Sequence, residues 1–559
     1  MRAVSVRLHN FRTFADTIIN LSPYTLLVGA NNCGKSNVID AIRAFYEKGV
    51  KYEESRDFPK FPTSDKESWI EIQFRPSDEE FVLLKDDYRL PDGTFCVRKY
   101  LQSSESDSSG KPKTGIYAYV GGQLSDSRFY GAKNVQQGKF GEVIYIPAVS
   151  KLDEHTKLTG PSALRDLVNA ILRKVMDASP AYDQLRVAFE EFEGGLKDEE
   201  TSNGLSLTSL ESEITREISE WDTSFQFFVH PVAPDLLVKN LIGHRLQDHK
   251  LGQPQDPKSC GQGFQRHLIF TLIKLAARHS SPTRASTRKD FSPQLTWILF
   301  EEPEAFLHPS QLDTLNASLR KVSQDVANQV LITTHNPQFV SKNIEDLPSL
   351  IRLCRTEPQS IANQIDSQTL NSILTANQKD LANWQAAGVG IHPDDLQIDM
   401  ECIKYTLWLN PFRCSAFFAN KVLLVEGPTE TALFGHMFDI GEITSSVGGV
   451  FLLDCMGKWN IHRFMNILGA LGIPHAVLYD YDGGKQADVE VEKTMQASRN
   501  AHTIAVDHFA QDLETFLGIP PAGKPHRKPQ HIMWHLQQGN IDSRKLASLA
   551  TKVETLLGI

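Results

Sequence analysis

The chain is poor in cysteine, in long apolar runs and in net positive charge. Seven cysteines among 559 residues form no CxxC pair and no regular Cys/His spacing. That excludes a disulfide framework and a zinc site of ordinary spacing, and it points to free thiols in a reducing compartment. No apolar stretch approaches the length of a membrane span. The N-terminus, Met1-Arg2-Ala3-Val4-Ser5-Val6-Arg7-Leu8, alternates like a strand and lacks the apolar core of a signal peptide. No membrane association and a cytoplasmic location are the expectation. The net charge of −10 means that the chain as a whole is no electrostatic binder of nucleic acid. Any nucleic acid must be held by a local basic patch or through bound metal. What is present is ordinary globular material, 41% hydrophobic and 23% charged. A chain this long exceeds one hydrophobic core, so roughly two to four domains are expected.

The first half carries the parts of a nucleotide site. Strand-like residues 25–28 run into Gly29-Ala30-Asn31-Asn32-Cys33-Gly34-Lys35-Ser36, and residues 37–46 read as a helix. This is the full GxxxxGKS pattern in strand–loop–helix context. Its glycines let backbone N–H groups, that of Asn32 included, close around phosphate oxygens, and the helix start adds partial positive charge. Lys35 would reach the β- and γ-phosphates of ATP, and the Ser36 hydroxyl would ligate Mg²⁺. Downstream, an apolar strand 297–300 delivers Glu301 and Glu302 side by side. Glu301 is assigned to the metal shell and Glu302 to orienting or activating water at the γ-phosphate. Asp is commoner at the first position, and Glu301 keeps its carboxylate. A third strand, 330–334, ends at His335, placed to sense the γ-phosphate.

Between these lies Ser259-Cys260-Gly261-Gln262-Gly263-Phe264-Gln265-Arg266, opening an apolar helix over 267–277. The order of phosphate loop, Gly/Ser/Gln-rich helix start, acid pair and strand-end His resembles the ATPase heads of the ABC and SMC superfamily. That resemblance implies ATP held between two copies, with Ser259 and Gly261 of one facing the phosphates of the other, hence a homodimer or higher oligomer. The signature departs from the common LSGGQ form. The stretch from the phosphate loop to this signature is too long for a plain connection. It contains strand-like 69–74 and 143–146, and a Ser/Gly/Lys solvent loop at 102–114. Residues 162–221 read as helical, with an apolar stripe of Leu164, Leu167, Val168, Ile171 and Leu172. The stripe suits either a core-facing helix or a dimerisation insert at about 155–225. Residues 280–289 read as a basic surface loop.

The second half begins a new βα pattern. A polar, partly helical linker is expected over 356–383. Then come strand 421–425, helix 429–438, strand 450–454, helix 459–471, strand 475–479 and strand 503–506, a small, mostly parallel sheet covered by helices. Its strand ends carry Glu426-Gly427-Pro428-Thr429-Glu430 and Asp480-Tyr481-Asp482. Four acids, Glu426, Glu430, Asp480 and Asp482, converging on one sheet edge would repel one another without a divalent cation. Hard oxygen ligands favour Mg²⁺ or Mn²⁺. Gly427 suits a turn where backbone approaches a metal.

This EGxxE and DxD constellation resembles the Toprim domain. An ABC-type head followed by a C-terminal Toprim domain resembles the OLD (overcoming lysogenization defect) nuclease family, which includes the Gabija nuclease subunit and retron-associated effectors. The resemblance implies an α/β chain: an ATPase domain over 1–365, a helical linker over 366–417 and a Toprim nuclease over 418–559. It implies a pair of metals held by Glu426, Glu430, Asp480 and Asp482, with Glu514 in preference to Asp512 as a later ligand. It places Lys528, in the basic cluster Gly523-Lys524-Pro525-His526-Arg527-Lys528-Pro529, near the scissile phosphate. Gly457-Lys458 resembles the family's GK turn. The expected function is an ATP-regulated, metal-dependent DNA endonuclease or nickase of antiphage defence. Its partner would be a helicase, a reverse transcriptase with its RNA–DNA product, or none. The alternative is an SMC-like repair or recombination ATPase that binds DNA without cutting it.

Overall fold

The computed structural model describes residues 1–148 apart from 107–109, 111, 134 and 136–139. Between 149 and 290 it describes scattered positions, chiefly 206–218, 246–250, 252–255 and 259–279. It then describes 291–559 apart from 292, 294, 306, 357, 445–448 and 482–484. Met1–Ala148, Lys289–Ala305 and Pro309–Ile559 form one compact unit; Val149–Arg288 with Phe306–His308 form a second.

The first unit starts with alternating sequence and therefore with an antiparallel sheet. Its strands are β1 (Arg2–Phe11), β2 (Phe14–Asn20), β4 (Ser68–Arg75), β5 (Phe95–Gln102), β6 (Gly115–Val120) and β7 (Gln123–Arg128), in the order β2-β1-β4-β5-β6-β7. The inner strands of the second sheet are mostly apolar runs, the composition of strands covered on both faces. It comprises β3 (Tyr24–Val28), β8 (Glu142–Ile146), β11 (Thr296–Glu301), β12 (Asn328–Thr333), β13 (Leu350–Thr356) and β14 (Gln359–Gln364), in the order β14-β13-β3-β12-β11-β8. All neighbours are parallel except β14 on β13. The helix Lys35–Phe45 buries Val38, Ile39, Ile42 and Phe45 in one core with Val6, Ile72 and Phe74 of the first sheet and Leu27, Leu299 and Leu331 of the second. Each such side chain contributes about 1.5–3 kcal/mol on burial.

The C-terminal sheet has four parallel strands, β15 (Val422–Val425), β16 (Phe451–Asp454), β17 (His475–Asp480) and β18 (Thr503–Phe509), ordered β16-β15-β17-β18. The first strand in sequence lies inside, with its successors on opposite sides. This is a topological switch point between β15 and β17, where the carboxyl ends of an open α/β sheet form a crevice.

Two expectations change. Polar β14 opens the segment expected as a partly helical linker, whose helix is Ser367–Ala386. That helix buries Leu370, Leu374, Asn377, Leu381 and Trp384 at alternating spacings of four and three, a stripe made for another helix. With Ile398–Trp408 it packs beside Ile461–Ala470, where Glu401 and Arg463 form a buried ion pair at 2.6 Å and Asn377 donates to Glu401 at 3.0 Å. A helix not expected, Gln486–Ala497, joins β17 to β18. Among the described residues no helix is long and apolar enough to cross a membrane.

In the second unit, β9 (Leu246–Asp248) and β10 (Gln253–Gln255) pair antiparallel, and Ser206 caps the helix Leu207–Glu217. Of the expected apolar stripe, Leu164, Leu167, Ile171 and Leu172 lie outside the described residues, as does the basic stretch 280–289.

Candidate nucleotide site and candidate metal centre

The phosphate loop leaves β3 through Gly29 at φ 140° and closes on Gly34 at φ 104°, the N-cap of the helix Lys35–Phe45. Both values lie in the region that favours glycine. A Cβ at Gly29 would run into the Leu353 carbonyl, so glycine here also lets β13 approach the loop. Asn32, at φ 63°, is exposed, as is Ser36. Lys35 is buried, and its Nζ donates to the carbonyls of Gly29 (2.9 Å) and Ala30 (3.0 Å). Burial lowers its pKa, opposed by Cys33, Glu302 and Glu304.

Glu301 ends β11 and accepts a 3.0 Å hydrogen bond from Tyr145 on the neighbouring β8. Glu302 stands at φ 43°, a strained conformation for a side chain of this size, and its N–H donates to Thr333 at the end of β12. His335 follows that strand, its Nε2 3.7 Å from Glu302. Burial, then the nearby Lys35 cation, hold its pKa below the ordinary value. The acid pair, His335 and the lysine therefore share one neighbourhood. Glu304, to which the sequence reading gave no role, accepts from the His335 N–H at 2.7 Å, and burial raises its pKa. Its position three residues after Glu301 was the available signal. Tyr145 becomes visible only through the β8–β11 pairing. Ser259 and Gly261 lie exposed just before the helix Gln262–His279 in the second unit.

At the C-terminal switch point, Glu426 leaves β15 and its Oε1 accepts the Asp480 N–H at 2.8 Å, joining the two strand ends. Gly427 caps the helix Pro428–Asp439, and Glu430, one turn in, accepts the Gly427 N–H at 3.1 Å. Glu430 is buried; that burial, and then the Asp480 charge, push its carboxyl up to about 7. Asp480 is 4% exposed and Glu514 is 2% exposed. Asp512 is engaged as the N-cap of the helix Leu513–Leu517, accepting from Thr515 N at 2.8 Å, while Glu514 turns inward. Lys528 opens the helix Lys528–Gln537, earlier than the loop position expected for it. Its Nζ stands 3.4 Å from Glu514 and 3.8 Å from Asp480.

The chain thus gathers Glu426, Glu430, Asp480, Glu514 and Lys528 at one sheet edge. Asp482 lies outside the described residues. Among the described residues no three His, Cys, Asp or Glu side chains stand close enough to form a finished metal cage. The donor set nonetheless fits a hard divalent cation. Both Glu514 carboxylate oxygens are buried with no hydrogen-bond partner among the described residues, and Glu430 is a buried acid beside a second one. Such groups are costly without a cation. Lys458 steadies this edge: its Nζ meets Asp488 at 2.7 Å and the Asp480 carbonyl at 3.4 Å.

Comparison with known proteins agrees with this division of labour. Residues 1–118 and 111–340 match the AAA ATPase domain model. Residues 417–482 match the model described as overcoming lysogenization defect protein-like, TOPRIM domain. The Old nuclease of Escherichia phage P2 is 23% identical over 497 residues, 86% of this chain and 77% of that protein. Endonuclease GajA of Bacillus cereus (strain VD045) is 24% identical over 511 residues, 86% and 75% of the two chains. The OLD nuclease of Thermus scotoductus (strain ATCC 700910 / SA-01) is 19% identical over 518 residues, 89% and 85%. With its AAA ATPase domain followed by an OLD-like Toprim domain, the chain belongs to the OLD family of nucleases.

Proposed function

We propose that this chain is an ATP-regulated, divalent-metal-dependent DNA endonuclease or nickase that serves as an effector of bacterial antiphage defence. The observation that carries the reading is the assembly of Asp480, Glu514 and Glu430 with Lys528 at the β15–β17 switch point. Relatives named as endonucleases support cutting over binding alone.

Glu426, Glu430, Asp480, Asp482 and Glu514 would hold Mg²⁺ or Mn²⁺, as a pair of ions. Bound there, the ions would supply charge to neutralise the phosphate and acidify an attacking water. The chain's own residues do the rest. Glu426, fastened to the Asp480 backbone, keeps the two strand ends in register. Glu430 takes its orientation from the helix start. Lys528 carries positive charge at the rim, raised in pKa by Glu514 and Asp480 against its burial, and donates to the phosphate as negative charge develops. In the ATPase domain, Lys35 and the loop from Gly29 to Ser36 bind the phosphates. Glu301 holds Mg²⁺, Glu302 orients water, and His335 meets the γ-phosphate. Ser259 and Gly261 act across a homodimer or larger assembly. Nucleotide-dependent closure of that assembly gates cutting. The protein works in the cytoplasm, alone or with a helicase or a reverse transcriptase and its RNA–DNA product.

The test is plasmid cleavage by purified protein with Mg²⁺ or Mn²⁺. Wild type is expected to nick or cut, and Asp480→Ala to lose that activity. Cutting by Asp480→Ala at the wild-type rate sinks the nuclease site. Lys35→Ala is expected to lose the response to ATP; an unchanged response sinks the gate.

A further inference from the structure

After Glu514 the sequence holds no acidic residue until Asp542. In a chain of net charge −10, residues 515–541 carry Lys524, Arg527 and Lys528 with no opposing charge of their own. Lys524, His526 and Arg527 are exposed, and Lys528 then opens the helix Lys528–Gln537 at the metal centre. A local basic stretch of this kind is what can hold a polyanion on a protein whose overall charge repels it.

The helix divides by face. Lys528, Ile532 and His535 follow one another at helical spacing on the inner side. Lys528 meets Glu514 and Asp480 there, and Ile532 is buried in one core with Leu433, Phe434 and Met437 of the helix Pro428–Asp439. Arg527, Gln530, Trp534 and Gln537, also at helical spacing, share the outer side, and all four are exposed. That side presents a cation, two amides and an indole. Trp534 is 52% exposed, and no other tryptophan among the described residues is exposed. At about 1.5 Å of rise per residue, Trp534 lies about 9 Å along the helix axis from Lys528. That span is no more than about three nucleotides at about 3.4 Å each.

We propose that the outer side of this helix carries the DNA strand away from the metal centre, with an unpaired base stacked on Trp534 and its phosphates held by Arg527 and Lys524. Every base has a flat face that an aromatic ring can cover, so the contact tolerates any sequence. In an intact duplex those faces are already covered by neighbouring bases. An indole on an exposed helix therefore stacks only on a base that has left its pair. The preferred substrate is DNA with unpaired bases beside the scissile phosphate, as in a single strand, a flap or a melted duplex. The inference rests on the nuclease function proposed above and deepens it by naming the form of DNA that the site takes.

Fluorescence anisotropy on the full chain tests it, with Ca²⁺ in place of Mg²⁺ and three labelled probes of equal length. The probes are a single strand of about 15 thymidines, the same strand with its bases removed, and a blunt duplex. Wild type is expected to bind the thymidine strand more tightly than either of the others. Trp534→Ala should weaken the thymidine strand by about 5–100-fold, the scale of one stacked base, and leave the abasic strand and the duplex unchanged. Trp534→Phe should keep most of the affinity and Trp534→Leu should not. Because the side chain is exposed, all three variants should melt as wild type does. Thymidine-strand affinity within twofold of wild type in Trp534→Ala overturns the inference, as does an equal loss on the abasic strand. Full affinity in Trp534→Leu also overturns it, because an apolar contact would then suffice. Cleavage of a flapped duplex by wild type with Mg²⁺ separates the two levels. If wild type cuts while Trp534→Ala binds unchanged, only the stacking falls; if wild type neither binds a probe nor cuts, the nuclease reading falls with it.

Discussion

Glu514 is buried with no hydrogen-bond partner for either carboxylate oxygen among the described residues, and the Lys528 Nζ stands 3.4 Å from it, longer than an ordinary N–H···O bond of about 2.7–3.2 Å. Lys528 therefore has reach to spare toward a phosphate at the rim. Lys528→Ala is expected to lower cleavage by about 10²–10³-fold, the scale of removing one donor to developing charge, with an unchanged melting curve; cleavage rates read beside calorimetry decide it. His462 poses a different test, because it is fully buried and neither ring nitrogen has a hydrogen-bond partner among the described residues. Burial holds its pKa well below the ordinary 6.5. The unfolded chain therefore binds a proton that the folded chain refuses once the pH falls below about 6.5. This contribution to stability is intact above that pH and is lost as the pH drops toward the folded pKa. Wild type should lose more melting temperature between pH 7.5 and 5 than His462→Leu does; equal losses would remove His462 as the cause.

At the scale of elements, the buried Glu401–Arg463 pair joins the helix Ile398–Trp408 to the helix Ile461–Ala470. Glu401→Ala leaves a buried guanidinium without its anion and is expected to cost about 3–5 kcal/mol. Glu401→Leu with Arg463→Met removes both charges and should cost much less. Urea titration of the three proteins measures the difference. The same elements mark where the sequence was legible. β3, β12, β15 and β17 are continuous apolar runs ending in polar motifs, so their existence and the residues at their carboxyl ends could be read directly. β14, Gln-Ser-Ile-Ala-Asn-Gln, is an edge strand paired only with β13, and nothing in its composition separates it from a loop. Gln486–Ala497 hides its helix behind Asp-Val-Glu-Val-Glu, a local alternation of the strand type. Burying Val491, Thr494 and Met495 together is a tertiary fact. Within the site, the motifs identified the acids, but only the helix start separates capping Asp512 from buried Glu514. The closing of Glu426 onto the Asp480 backbone needed β15 and β17 to be neighbours.

At the scale of the molecule, Arg352 is a buried tie between the ATPase sheet and the Toprim domain, and two carbonyls accept from it. Arg352→Met keeps the stem and removes those bonds. Scanning calorimetry should then resolve separate ATPase and Toprim transitions where wild type melts them together; a single unbroken transition in the variant would show that other contacts suffice. The neighbouring residue on β13 has an equally exacting place, since the Leu353 carbonyl fences Gly29 of the phosphate loop. Successive residues of one strand thus serve two different clients. Strand geometry alternates its faces residue by residue, so a slip of one position would swing Arg352 away from the Toprim domain and remove the loop's fence in the same stroke. β13 acts as a ruler common to both halves of the chain. Length changes tolerated in the surface loops should be refused there, and the two halves can be re-spaced by evolution or by engineering only on either side of it.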